Sequence, residues 1–295
     1  MEENNCIYIN SRGLLKSCDI FSNNPVSSIK YILDYDWSKC KDGSVVYICS
    51  SAIKHFITLN IPYKIILVSG DCDETCWNDI FAEYDDFIKF IESDKIIKWY
   101  SQNCIVSHSK LKQIPIGLDY HTIAKGNIYW GEKKSPKEQE LEIEQIRSEM
   151  KPFWEREIKC YSNFHFNIVY SKFGYDRIDA IKQIPNKLMF YEKTFKTRKE
   201  SFITQSKFAF VISPHGNGLD CHRTWEALVL GNIPIVKTSG IDNLYKDLPV
   251  LIVNEWSDIT YKLLNHTINE FKTMEFNYKK LHLSYWNDII RNEIY

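Results

Sequence analysis

The apolar residues of this chain fall in short unbroken runs more than in alternating ones. Val45 to Cys49, Lys64 to Ser69, Phe208 to Ile212, Ile233 to Val236 and Leu248 to Val253 read as strands buried on both faces. That is the pattern of parallel sheets covered by helices. Cys104 to Ser107, Ile114 to Ile116 and Phe166 to Ser171 read as three further short strands. Helical spacing appears around Ala52 to Leu59, Trp77 to Phe90, Arg177 to Ile184, Asp258 to Phe271 and Lys279 to Ile294. Strands alternating with helices predict an α/β protein. The runs divide into two Rossmann-like units facing a cleft: residues 1–124, and residues 161–272 after a joining segment at 125–160. Residues 273–295 form a last helical segment that can return to the first unit.

The joining segment opens with Ser135-Pro136-Lys137-Glu138, a capping box with proline at the first helical position. From Glu140 to Glu157 charged residues surround Ile143, Ile146, Met150 and Phe153, which predicts one long amphipathic helix with a solvated charged face. Lys196-Thr197-Arg198-Lys199 likewise reads as a solvent-facing basic cluster ahead of a helix.

The densest chemistry lies between Lys207 and Lys237. A buried strand ends at Ser213-Pro214, and a loop with Gly216-Asn217-Gly218 follows. A helix-like block from Cys221 to Leu230 is then closed by Gly231, before the next strand. Such a loop sits at the carboxyl end of a strand, where ligands of doubly wound sheets collect. Its glycines let backbone N–H groups approach an anion, aided by the helix N-terminus. His222, Arg223 and Glu226 share one stripe of that helix, while Trp225, Leu228 and Val229 face the other side. Cations in a first turn oppose the helix dipole. A bound phosphate, met by Arg223 as a forked donor, would account for them. The plainer alternative is that Arg223 and Glu226 simply pair with each other.

The block SPHGNGLDCHRTWEALVLGNIPIV, Ser213 to Val236, resembles the donor-site segment of exostosin-like glycosyltransferases of GT-B fold, nearest to a bacterial and viral branch. A weaker resemblance covers Ile114 to Thr122, IPIGLDYHT. The resemblance implies transfer of a sugar from a nucleotide-sugar, such as a UDP- or GDP-sugar, to a hydroxyl of a glycan or protein. No further cofactor is expected. It implies that Glu226 holds the nucleotide ribose and that an arginine, here Arg177, reaches the donor phosphates. The donor set is then Ser213, His215, Gly216, Asn217, Gly218, Asp220, His222, Arg223 and Glu226 with Arg177. Candidate bases for deprotonating the acceptor are Asp119, Asp71, Asp73 and His108, and the sequence does not choose among them.

Asp71-Cys72-Asp73 after a hydrophobic strand also fits the D-x-D metal signature of GT-A glycosyltransferases, a second enzymatic reading. A non-catalytic nucleotide-sugar-binding scaffold is a third. A metal-independent GT-B enzyme is the reading preferred, because the cationic and amide donors cluster away from the two aspartates. Composition narrows the field further. With 37 basic and 38 acidic residues in 295, no bulk electrostatic attraction to nucleic acid is expected. No apolar run reaches membrane-spanning length, and the N-terminus lacks a basic-then-apolar signal, so a cytoplasmic location is expected. Nine cysteines without repeated spacing read as reduced thiols. Cys72 and Cys76 lack partners at zinc spacing.

Overall fold

The computed structural model describes residues 2–168 and 170–292. Its helices in chain order are α1 (Ser11–Ser17), α2 (Ile53–Thr58), α3 (Tyr84–Glu92), α4 (His121–Ala124), α5 (Pro136–Ser148), α6 (Tyr175–Gln183), α7 (Arg198–Gln205), α8 (His222–Val229), α9 (Tyr261–Phe271) and α10 (Leu283–Arg291). The strands are β1 (Ser44–Cys49), β2 (Ile65–Gly70), β3 (Ile96–Ser101), β4 (Leu111–Gln113), β5 (Glu157–Ser162), β6 (Met189–Tyr191), β7 (Phe208–Ile212), β8 (Ile233–Lys237) and β9 (Leu251–Val253). They form two wholly parallel sheets, ordered β1-β2-β3-β4 and β6-β5-β7-β8-β9. The molecule is therefore α/β, with two Rossmann-like sheets on either side of a cleft, the GT-B layout. Every residue of β1, β2 and β7 is buried, as expected of strands with helices on both faces.

The second sheet places β5 between β6 and β7. Numbered within that unit the order is 2-1-3-4-5, so successive connections leave β5 and β7 toward opposite faces. A crevice opens at such a switch point, outside the carboxyl ends of the two strands. The loop after β5 (163–174) and the glycine loop after β7 (213–221) meet there.

Several expected elements lie elsewhere. Phe166 to Ser171 is no strand: its described residues form turns that bring Gly174 tightly against Ile168, and Val169 lies outside the described residues. The first strand of the second sheet is instead β5, which begins at Glu157, the last residue of the segment expected to be helical. The joining helix stops at Ser148, short of Pro152, whose ring disfavours helix in the residue before it. Its charges are not all solvated. Glu140 is buried and accepts the backbone N–H of Ile7 at 2.6 Å and Tyr8 at 3.1 Å. Trp77 takes a left-handed φ of 73°, which breaks the expected helix and delays α3 to Tyr84. The edge strand is Leu111–Gln113, not Ile114 to Ile116, and Cys104 to Ser107 contributes only an isolated bridge at Cys104.

The last helix lies on the first unit. Arg291 donates to the carbonyl of Ser17 at 2.6 Å, Asn287 to the Ser17 hydroxyl at 3.0 Å, and Tyr100 to the carbonyl of Ile289 at 3.2 Å. The expected continuation to Ile294 lies outside the described residues. One apolar cluster joins Trp225, Leu228 and Val229 of α8 to Trp286 and Ile290 of α10 and to Tyr8 and Ile9. α8 is thereby anchored from both units, which fixes the residues on its opposite side.

Candidate functional site

At the switch point a cleft of about 320 Å³ is lined from both units. From the second unit it receives Arg177 of α6, Gly216, Asn217, Gly218 and Asp220 of the glycine loop, and His222, Arg223 and Glu226 of α8. From the first unit it receives Asp73 and Asp119. The residues of the two sequence blocks are thus brought together, although about a hundred positions separate them along the chain.

The cationic end of the cleft is unusual. Arg223 donates from Nε to the Asn163 side chain at 3.2 Å, with its guanidinium over the Phe164 ring at 5.6 Å. Arg177 donates from Nη1 to the carbonyl of His165 at 2.7 Å and from Nε to that of His215 at 3.4 Å. Neither forms an ion pair with a carboxylate among the described residues, so the alternative of an Arg223–Glu226 pair is not met. Burial, and then the charge of Arg223, lower the pKa of Arg177 to about 10. Burial lowers Arg223 as well. Two partly dehydrated cations, one of them lowered by the charge of the other, form a site for an anion. A Cβ on Gly216 would lie 3.3 Å from Arg177 Nη2, so glycine keeps the loop clear of the guanidinium.

Glu226 sits one turn further along α8. Burial raises its pKa, while Arg198 and His222 pull it down. Arg198 is the residue the sequence reading placed wrongly. It is only 8% exposed, at the start of α7, with Nη1 4.0 Å from Glu226. It also donates to the backbone carbonyl of Asp119 and to the side chain of Gln139. The capping box at Thr197 and Glu200 marks where α7 begins. It does not reveal that the first residue of the helix turns inward.

On the first-unit side, Asp119 accepts the Thr122 N–H at 3.0 Å and lies 3.1 Å from His121 Nδ1. Burial alone would raise its pKa. The positive charges of His222 and His121 and the bonds from Thr122 outweigh that and bring it down to about 2. His121 is itself lowered, by burial first, with Asp119 opposing. The carbonyl of Gly117 can only accept, so His222 Nδ1 at 2.7 Å donates to it. Asp73 is raised by burial, with Asn217 opposing as a hydrogen-bond partner.

Four predicted site residues do other work. His108 lies away from the cleft, its Nε2 2.7 Å from Glu92 and its Nδ1 accepting the Lys110 N–H, so it is not a base for this site. Asp71 is buried against Arg12 at 3.0 Å and accepts from the Ser27 hydroxyl at 2.9 Å. With its charge answered there, it is not an acceptor base. Ser213 hydrogen-bonds Thr224 beneath the head of α8, at 2.8 Å. His215 braces the loop, with its N–H on Asp176 at 2.8 Å and Nδ1 on the carbonyl of Leu219 at 2.9 Å.

Asp220 lines the cleft but chiefly ties the units together. It accepts the Ile116 N–H at 2.7 Å, Trp225 Nε1 at 2.8 Å and Tyr245 Oη at 3.2 Å, while its own N–H donates to Asn103 at 2.9 Å. Gly218 serves the same seam. A Cβ there would lie 2.9 Å from the Asn103 side chain and 3.1 Å from the Asp73 carbonyl. Gly218 does not take a positive φ; Gly231, which closes α8, does, at 68°.

Among the described residues, no group of three or more His, Cys, Asp or Glu is placed to hold a metal ion. No protein-family model and no curated protein sequence matches the chain. A solved structure of "Trehalose-6-phosphate from E. coli bound with UDP-2-fluoro glucose" is similar at 11% identity over 86% of this chain and 71% of that one, with a TM-score of 0.34. Among the described residues no helix is long and apolar enough to cross a membrane.

Proposed function

We propose that the protein is a metal-independent glycosyltransferase that moves a sugar from a nucleoside diphosphate donor to a hydroxyl acceptor. The observation that carries the reading is the pair Arg177 and Arg223, one guanidinium buried and one half-buried, neither in an ion pair with a carboxylate among the described residues, which line the cleft together with Gly216 at the head of α8. A diphosphate supplies the charge such a site lacks. The resemblance of Ser213 to Val236 to exostosin-like donor segments supports the same assignment.

In this reaction the acceptor oxygen bonds to the anomeric carbon as the bond from that carbon to the β-phosphate oxygen breaks. The electron pair stays on the leaving diphosphate, where Arg177, Arg223 and loop amides stabilise it. The acceptor proton passes to a base of the first unit. Asp119 with His121, and Asp73, are the groups in reach of the cleft. Stabilisation by fixed donors needs no metal, and Asp71, half of the D-x-D pair, already answers Arg12.

The test is thermal shift with UDP, GDP, ADP, CDP and dTDP. A ligand at a hundred times its Kd stabilises by about 2.7 kcal/mol. If none of the five shifts unfolding at millimolar concentration, the donor reading falls.

A further inference from the structure

The cleft's groups follow an order along its length that one class of molecule matches; this inference rests on the donor reading above. Arg177, Gly216 and Arg223 form the cationic end. Glu226 follows one helical turn later, about 5 Å on. Beyond Glu226 the character changes. The Arg198 guanidinium lies 5.7 Å from the centre of the Phe202 ring, and Trp130 and Ile123 also line the cleft. Trp130 is 44% exposed, a large aromatic ring left open at the mouth of the cleft, while Ile123 and Phe202, which line the same cleft, are buried. Its loop is a defined turn: Gly126 and Gly131 bracket it at φ of 86° and 133°, conformations that side chains rarely adopt. A Cβ on Gly131 would lie 3.8 Å from Thr197, so the loop is seated on the head of α7.

We propose that Trp130, with Ile123 and Phe202, forms the slot for the donor's nucleobase, so that diphosphate, ribose and base run from Arg177 past Glu226 to Trp130. Stacking suits the slot because every base presents a π-face to an aromatic platform. The slot is open at its far end. Trp130, Ile123 and Arg198 also line an adjoining cavity of about 290 Å³ that contains Lys134, Glu142 and Lys199. There Lys134 lies 2.6 Å and Lys199 3.4 Å from Glu142, and Glu132 joins them in the lining, so with Arg198 the cavity sets three cations against two carboxylates and offers both hydrogen-bond donors and acceptors. Those groups face the edge of a base stacked on Trp130, and a neutral heterocycle is what they fit.

The test is calorimetry on the whole chain with UDP, GDP, ADP and CDP, and with inorganic diphosphate in parallel. Trp130→Ala weakens the nucleoside diphosphate that binds by about 5- to 150-fold and leaves inorganic diphosphate unchanged. Trp130→Phe retains most of the affinity, because the ring is kept. If Trp130→Ala binds the nucleotide as the native protein does, the slot assignment is wrong and the donor reading stands. If it loses nucleotide and inorganic diphosphate by the same factor, the effect is on the cleft as a whole and the assignment is again wrong. If instead an arrayed glycan is lost while the nucleotide is kept, Trp130 belongs to the acceptor. Failure of every nucleoside diphosphate to bind the native protein removes the donor reading and this inference together.

Discussion

Arg223 shows how a single residue carries two messages. In the sequence it is a cation at the wrong end of a helix; in the structure it is a half-buried guanidinium that bonds Asn163, lies over the Phe164 ring and has no carboxylate ion pair among the described residues. Arg223→Ala should cost about 1.5–3 kcal/mol of nucleoside diphosphate affinity, the worth of a charge-assisted bond, in a protein that still folds. Unchanged calorimetric affinity would take Arg223 out of the site. Glu226 makes a pH prediction. Its carboxyl is raised by burial and held down by Arg198, so lowering the pH protonates it and removes an acceptor for hydroxyl donors. Donor affinity should therefore fall as pH drops from neutral. In Arg198→Gln that fall should begin at higher pH, because the opposing charge is gone. Asp119, at about 2, stays ionised throughout and adds no slope in this range. A pH profile that Arg198→Gln does not move would sever the two residues. Arg198 itself was not legible in the sequence, because nothing local separates a basic residue at a helix start that turns inward from its neighbours that do not.

The element that organises the site is the strand, glycine loop and helix from Phe208 to Val229, and it was read nearly to the residue. Its signals are local: an apolar run, two glycines, a stripe at helical spacing and Gly231 at the end. Elements with weaker signals were missed. β3 carries Lys98 in its middle, and β6 is three half-buried residues, so neither shows the unbroken apolar run that marked the others. The loops at the seam between units were misread for a different reason. Whether Gly218 faces a ligand or the opposite unit depends on Asn103 and Asp73, which no local pattern places beside it. Gly218→Val should push the units apart and lower stability as well as donor binding, since the contacts at 2.9 and 3.1 Å leave no room. Gly231→Ala should lower stability alone, by about 1 kcal/mol, because its φ of 68° suits glycine. Denaturant melts of both variants, with binding measured on the folded fraction, separate the two effects. A Gly218→Val protein of native stability would show that the seam yields freely.

At the scale of the whole molecule, two sheets meet along a seam of specific bonds: Asp220 to Ile116, His222 to Gly117, Arg198 to Asp119, and Gln113 to the Gly240 carbonyl at 2.9 Å. The seam decides what the two aspartates of D-x-D can do. They sit two residues apart, yet Asp73 reaches the cleft while Asp71 turns back to Arg12, itself 3% exposed with two nitrogens that find no other partner. A magnesium ion would need oxygen ligands at about 2.1 Å, and Asp71 can supply one only by abandoning a buried cation. Donor binding should therefore persist in EDTA, and Asp73→Asn should still bind the nucleoside diphosphate even if turnover is lost. Asp71→Asn should act differently, costing about 3–5 kcal/mol of stability by leaving the Arg12 charge unanswered, with donor affinity of the folded protein retained. Calorimetry with and without chelator, beside urea melts of the two single variants, measures each arm separately. Donor binding that requires Mg²⁺ or Mn²⁺ and disappears in both variants would mean that Asp71 leaves Arg12 to hold a metal, and the metal-independent reading would be replaced by the D-x-D one.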